Sequence, residues 1–142
     1  MVAPAAPEGG APRGGCTALD RLDDHIILLV EDEPFILADI QQELENVGAR
    51  VVPATTVQEA LALLESEPVT ASILDFKLQG GTADDLCHQL TERKIPFVIY
   101  SGYTNVEGEC NKWEIVSKPA DPRELVTRVL RVLVANALPD PC

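Results

Sequence analysis

An α/β fold with a central parallel sheet is what this sequence predicts, and three observations predict it. Ala71-Ser72-Ile73-Leu74-Asp75 is a short apolar run bounded by Pro68 and Gly80-Gly81, which reads as a strand buried on both faces. Three more apolar runs end the same way: Ile26 to Val30 in Glu31-Asp32, Phe97 to Tyr100 in Ser101, and Ile115 to Ser117 in Lys118. Between such runs lie segments with helical spacing, and strands alternate with helices at intervals that suit βαβ crossovers.

The elements follow in order. Residues 1–20 are rich in Ala, Pro and Gly without a periodic apolar face, so residues 1–21 are expected to form a disordered leader. The folded part is expected over 22–136, with 137–142 as a proline-containing tail. After the first strand, Leu37, Ile40, Leu44 and Val47 carry a helix that begins at Pro34 and stops at Gly48. Val51-Val52 is a short second strand. Thr56-Val57-Gln58-Glu59 has the form of a capping box and opens a helix through Leu61 and Leu64. Thr82 is placed to cap a third helix with Asp84 and Asp85 in its first turn and Leu86 and Leu90 facing inward. Pro96 precedes the fourth strand. Between Thr104 and Glu114 a helix is due, but Gly108, two Asn and few spaced apolar residues predict a short or irregular one. Asp121-Pro122-Arg123-Glu124 starts the last helix, and Leu125, Val129, Val132 and Leu133 form its buried stripe.

Composition narrows the function. A chain of 142 residues, 46% hydrophobic and 24% charged, suits one globular domain. A net charge of -12 argues against binding a phosphate backbone, which needs clustered Lys and Arg. No apolar run approaches a membrane span, and the N-terminus lacks the basic start and apolar core of a signal peptide. Neither nucleic acid nor membrane is therefore an expected partner. Cys16, Cys87, Cys110 and Cys142 are widely spaced, so no disulfide framework and no zinc site are read from them, and a reducing cytoplasm suits them.

In an open α/β sheet the ligand crevice lies beyond the carboxyl ends of the strands. Glu31, Asp32 and Asp75 would meet there, and three carboxylates that close repel unless a cation neutralises them. Mg²⁺ prefers oxygen ligands and commonly binds one or two carboxylates together with a phosphate. Lys118 can reach a phosphoryl oxygen, and Ser101 offers a hydroxyl to another. This set suits in-line phosphoryl transfer onto Asp75, where positioning and charge neutralisation do most of the catalysis.

The ordered set of Glu31-Asp32-Glu33, Asp75, Ser101-Gly102 and Lys118-Pro119 resembles a bacterial response-regulator receiver domain over about residues 22–135. The resemblance implies a flavodoxin-like, doubly wound five-stranded parallel sheet of order 2-1-3-4-5. It makes Asp75 the phosphoacceptor, Asp32 a direct Mg²⁺ ligand and Glu31 a ligand through metal-bound water. The Lys77 backbone carbonyl would complete the metal shell, while Ser101 and Lys118 would hold the phosphoryl group. The Lys118-Pro119 bond would be cis. The common aromatic switch three residues before the Lys is here Ile115, so a ring flip is unavailable at that position. Ser101-Gly102-Tyr103 resembles instead the alphaproteobacterial subgroup nicknamed FATGUY, whose members are often stand-alone and paired with histidine kinases of the HWE or HisKA2 type. Lys77 and Tyr103 stand two residues beyond Asp75 and Ser101, where side chains can tune the lifetime of an acyl phosphate.

The expected function is that of a single-domain response regulator in a phosphorelay. It would take a phosphoryl group from a histidine kinase or phosphotransfer protein and signal through altered protein contacts. It would not be an enzyme in its own right, only assisting its own phosphorylation and dephosphorylation. A constitutive docking module would require a missing site residue, and all are present. An aspartyl-phosphate hydrolase would want a second acid two residues after the nucleophile, where this chain has Lys77. Simpler readings hold elsewhere: Glu33 favours a helix dipole, Trp113 packs against the sheet edge, His25 and His88 are structural or exposed, and Cys87 is explained by helix packing. Tyr103 is read either as a surface aromatic or as a switch.

Overall fold

A computed structural model describes residues 21–78, 81–102, 110 and 113–137. The elements are β1 (Ile26–Val30), α1 (Pro34–Asn46), β2 (Arg50–Ala54), α2 (Val57–Ser66), β3 (Ala71–Asp75), β4 (Lys77–Leu78), β5 (Gly81–Thr82), α3 (Asp84–Glu92), β6 (Phe97–Ser101), β7 (Glu114–Ser117) and α4 (Pro122–Ala137). Five strands form one parallel sheet in the order β2-β1-β3-β6-β7, while β4 and β5 pair as a separate two-residue ribbon. Without that ribbon the order is the expected 2-1-3-4-5. The leader, the tail from 138, Tyr103 and most of the segment 104–114 lie outside the described residues, as do Cys16 and Cys142.

Strand side chains alternate between faces, and here both faces are buried. Ile27, Leu29, Ala71, Ile73, Val98, Tyr100 and Val116 face one way, against Ile40 and Leu44 of α1 and Leu125, Val129 and Val132 of α4. Leu28, Val30, Leu74, Phe97 and Ile99 face the other way, against Val57, Ala60 and Leu64 of α2 and Leu86, Cys87 and Leu90 of α3. This is why the strands read as continuous apolar runs. Ser72 is the one polar residue of β3 before its terminal Asp75, and its hydroxyl donates to the Leu28 carbonyl at 2.7 Å, so it is buried with a partner. Trp113 packs against both clusters beside the edge strand β7. On the surface, Arg128 bridges Glu124 and Glu114, tying α4 to β7. Such pairs contribute about 0–1 kcal/mol each, against about 1.5–3 for a buried Leu or Ile, so apolar packing holds α4 in place.

Local chemistry accounts for most of the helix ends. The Thr56 hydroxyl accepts from the Glu59 amide at 3.1 Å, but the Glu59 carboxylate accepts from the Thr55 amide at 2.8 Å rather than from Thr56. The reciprocal half of the expected box is thus displaced by one residue. Asp121 accepts from the Arg123 amide at 2.9 Å as α4 begins. The expected cap of α3 is corrected. Its N-cap is Ala83, with no side-chain cap, because Thr82 pairs with Lys77 in the β4–β5 ribbon.

Two helices end in the same turn. After α1, the Ala49 amide donates to the Leu44 carbonyl and the Gly48 amide to that of Glu45. After α3, the Ile95 amide donates to Leu90 and the Lys94 amide to Thr91. These are the paired bonds of a Schellman motif, which needs a left-handed residue. Gly48 supplies it at φ +99°, where a Cβ would collide with the Asp23 carboxylate. In α3 the position is filled by Lys94 at φ +60°.

A second correction concerns the cysteines. Cys87 of α3 and Cys110 are joined by a disulfide with a Cα–Cα distance of 5.1 Å, and both are fully buried. The two are separated by 23 residues, and only the packing of α3 beside the β6–β7 connection makes them neighbours.

Candidate functional site

The carboxyl ends of β1, β3, β6 and β7 lie side by side, and each delivers one part of the site. Glu31 and Asp32 leave β1, Asp75 ends β3, Ser101 ends β6, and Lys118 follows β7. One carboxylate oxygen each from Glu31, Asp32 and Asp75 lies within 4.8 Å of the others. Glu31, Asp75 and Ser101 are almost wholly buried, at 1%, 5% and 1% exposure. The Lys118 ammonium donates to Asp75 Oδ2 at 2.9 Å. Its backbone amide donates to the Ser101 carbonyl at 2.8 Å, continuing the β6–β7 pairing past the strand end. The Lys118-Pro119 bond is cis.

The electrostatics follow from burial and crowding. Burial of Glu31 pushes its carboxyl up to about 7, opposed by the Glu33 amide that donates to Oε2 and reinforced by the negative charge of Asp75. Burial lowers the Lys118 ammonium, but its hydrogen bond to Asp75 and the charges of Asp75 and Glu31 outweigh it and hold the group above its ordinary value. The other oxygen of Glu31, Oε1, is buried without a hydrogen-bond partner. A buried carboxylate oxygen facing two further carboxylates is costly unless a cation meets it. Three oxygen donors of this hardness fit Mg²⁺.

The expected residues Glu31, Asp32, Asp75, Ser101 and Lys118 are thus brought together. Lys77 contributes its backbone to β4, two residues beyond Asp75. Ile115 lies in β7 opposite Ile99 and packs on the α2–α3 face, away from the face that carries Asp75. Tyr103, the expected switch aromatic, is outside the described residues. One site residue went unrecognised in the sequence: Tyr100, whose ring lies beneath the Lys118 ammonium at 4.8 Å from its centroid. Strand alternation could have found it, because Tyr100 sits directly opposite Asp75 in register.

The profile of the response regulator receiver domain matches residues 27–130. This chain belongs to that family. Among curated relatives of the receiver domain, the alkaline phosphatase synthesis transcriptional regulatory protein PhoP of Bacillus subtilis is 31% identical over 122 residues, covering 81% of this chain. The chain spans about half of that relative, 51% of its length. Among solved receiver structures, a CheY-like receiver domain protein from Methanospirillum hungatei superposes with a TM-score of 0.72 at 26% identity, covering 79% of this chain and 95% of that one. SdrG from Sphingomonas melonis is 32% identical with a TM-score of 0.65, covering 84% and 99%. The receiver assignment agrees with the flavodoxin-like sheet order described above, and places the chain among two-component signal-transduction proteins.

Proposed function

We propose that this receiver is a phosphorylation switch in which Asp75 accepts a phosphoryl group from a phosphohistidine. The observation that carries the reading is the convergence of three carboxylates within 4.8 Å, with Lys118 already hydrogen-bonded to Asp75. In the transfer, a carboxylate oxygen of Asp75 forms the new O–P bond as the P–N bond of the donor breaks, and the leaving imidazole takes up a proton. Glu31, Asp32, Asp75 and the Lys77 carbonyl would hold Mg²⁺. When bound, the ion neutralises the clustered carboxylates and the charge on the phosphoryl oxygens. Lys118 moves its hydrogen bond from the carboxylate to a phosphoryl oxygen, and Ser101 donates its hydroxyl to another. The protein is a phosphoacceptor that assists its own modification and its reversal, rather than an enzyme acting on a separate substrate. Output follows as a shift between two conformations that partners distinguish.

Within this reading the donor is a histidine kinase, of the HWE or HisKA2 type, or a phosphotransfer protein, and Ser101-Gly102-Tyr103 supports placement in the FATGUY subgroup. Phe35, 82% exposed in the first turn of α1, stands three residues from Asp32 and offers that donor an apolar contact. Among the described residues no helix is long and apolar enough to cross a membrane. The setting that fits a kinase-fed acceptor is the cytoplasm, where the Cys87–Cys110 bond would be open to reduction. Incubation with a phosphohistidine-bearing donor protein tests the function. Label should pass to this chain, be released by hydroxylamine as expected of an acyl phosphate, and fail to pass to Asp75→Asn. Label that resists hydroxylamine, or that reaches Asp75→Asn equally, would contradict the reading.

A further inference from the structure

Lys118, just past β7, and Asp75, at the end of β3, stand at strands that are not neighbours. In the sheet, β6 lies between β3 and β7, and parallel strands stand about 4.8 Å apart, so the Lys118 and Asp75 side chains together bridge a gap of roughly 10 Å across β6. Whatever β6 presents on that face, at that level, becomes the floor of the crossing. Alternation identifies it. Ala71 and Ile73 place Asp75 on the α1–α4 face, Val98 places Tyr100 there, and the register pairs Asp75 with Tyr100. Val116, opposite Tyr100 on the other side, places the chain that leads to Lys118 on the same face. The aromatic ring is accordingly where the crossing demands it, 94% buried with the ammonium 4.8 Å from its centroid.

The geometry points to Tyr100 as a positioning residue for phosphoryl transfer, holding the Lys118 ammonium over its ring so that the charge stays at Asp75 and at a phosphoryl group placed there. The inference rests on the reading of Asp75 as phosphoacceptor. Its physical content is that a ring face attracts a cation without imposing a single hydrogen-bond direction. A carboxylate or amide at this position would fix the ammonium to one point. The ring instead lets Nζ slide from the Asp75 oxygen to a phosphoryl oxygen while keeping a favourable contact throughout. Tyr100 is itself held in place as part of the α1–α4 core. In this scheme Tyr100 acts on the phosphoryl group through Lys118 rather than directly.

Two measurements test this. Proton NMR of the full chain should show the ε-methylene protons of Lys118 shifted upfield by the ring in wild type and in Tyr100→Phe, and at ordinary positions in Tyr100→Leu. The rate of Asp75 phosphorylation by phosphoramidate with Mg²⁺, followed by intact mass, should fall roughly 3- to 30-fold in Tyr100→Leu, the range a partly to fully desolvated cation–π contact gives. Tyr100→Phe, which keeps the ring, should rescue it. In a Lys118→Ala background the Leu substitution should cause no further loss, because the interaction it removes is already gone. Equal losses in both backgrounds, or no ring shift on Lys118 in wild type, would overturn the inference. If wild type itself takes up no phosphoryl group, the reading of Asp75 fails instead, and the NMR shift still decides the Tyr100–Lys118 contact.

Discussion

Glu31 is the residue at which the site opposes the fold. Its carboxyl is raised from 4.5 to about 7 by burial, with the Asp75 charge adding to the effect, so the native state favours its neutral form. A raised carboxyl contributes stability that is complete below the unfolded value and lost as pH rises through the folded one. In metal-free protein, stability from this group should therefore decline between pH 4.5 and about 7. The two limits differ by on the order of 3 kcal/mol, since one unit corresponds to about 1.4 kcal/mol. Denaturant titrations across that range, in a chelating buffer, should show the decline in wild type and a flatter profile in Glu31→Gln. Identical profiles would mean the carboxyl is not penalised by its burial. The cluster of Glu31 with Asp32 was legible as sequence because both follow an apolar run directly. The orphaned Oε1 was not, because it depends on which oxygen the Glu33 amide occupies.

At the scale of elements, the turn after α3 carries a correctable strain. Lys94 adopts φ +60° in a Schellman motif where α1 uses Gly48, and a left-handed non-glycine residue costs about 1 kcal/mol or more. Lys94→Gly should stabilise the protein by roughly 0.5–1 kcal/mol, after the added freedom of the unfolded chain is discounted. A lower denaturation midpoint in that variant would contradict the assignment. The stop at Gly48 was readable because glycine announces it, whereas nothing in the letters around Lys94 does. The β4–β5 ribbon escaped for a related reason: two-residue strands carry no periodicity, and the ribbon took Thr82 from its expected capping role. The Cys87–Cys110 bond closes a loop between residues 23 apart. Chain-entropy reasoning gives such a closure about 3 kcal/mol. Reductant should lower the unfolding free energy by about that amount, and an unchanged midpoint would contradict a bond between them.

For the whole molecule, the sheet order follows from simple patterning. Strands buried on both faces read as apolar runs, helices between them force parallel crossovers, and polar residues where the runs stop mark the crevice. Those features needed no tertiary knowledge, which is why the strand ends at Glu31-Asp32, Asp75, Ser101 and Lys118 could be grouped in advance. What needed the fold was anything set by neighbours distant in sequence, such as Cys87 beside Cys110 or Tyr100 beneath Lys118. In the proposed function, the crevice at these strand ends serves to charge and discharge Asp75. The decisive measurement is intact mass after incubation with a small phosphodonor, comparing wild type and Asp75→Asn with and without Mg²⁺. One phosphoryl group is expected on wild type only when Mg²⁺ is present, and none on Asp75→Asn. Mg²⁺-independent labelling, or labelling of Asp75→Asn to the same extent, would contradict it.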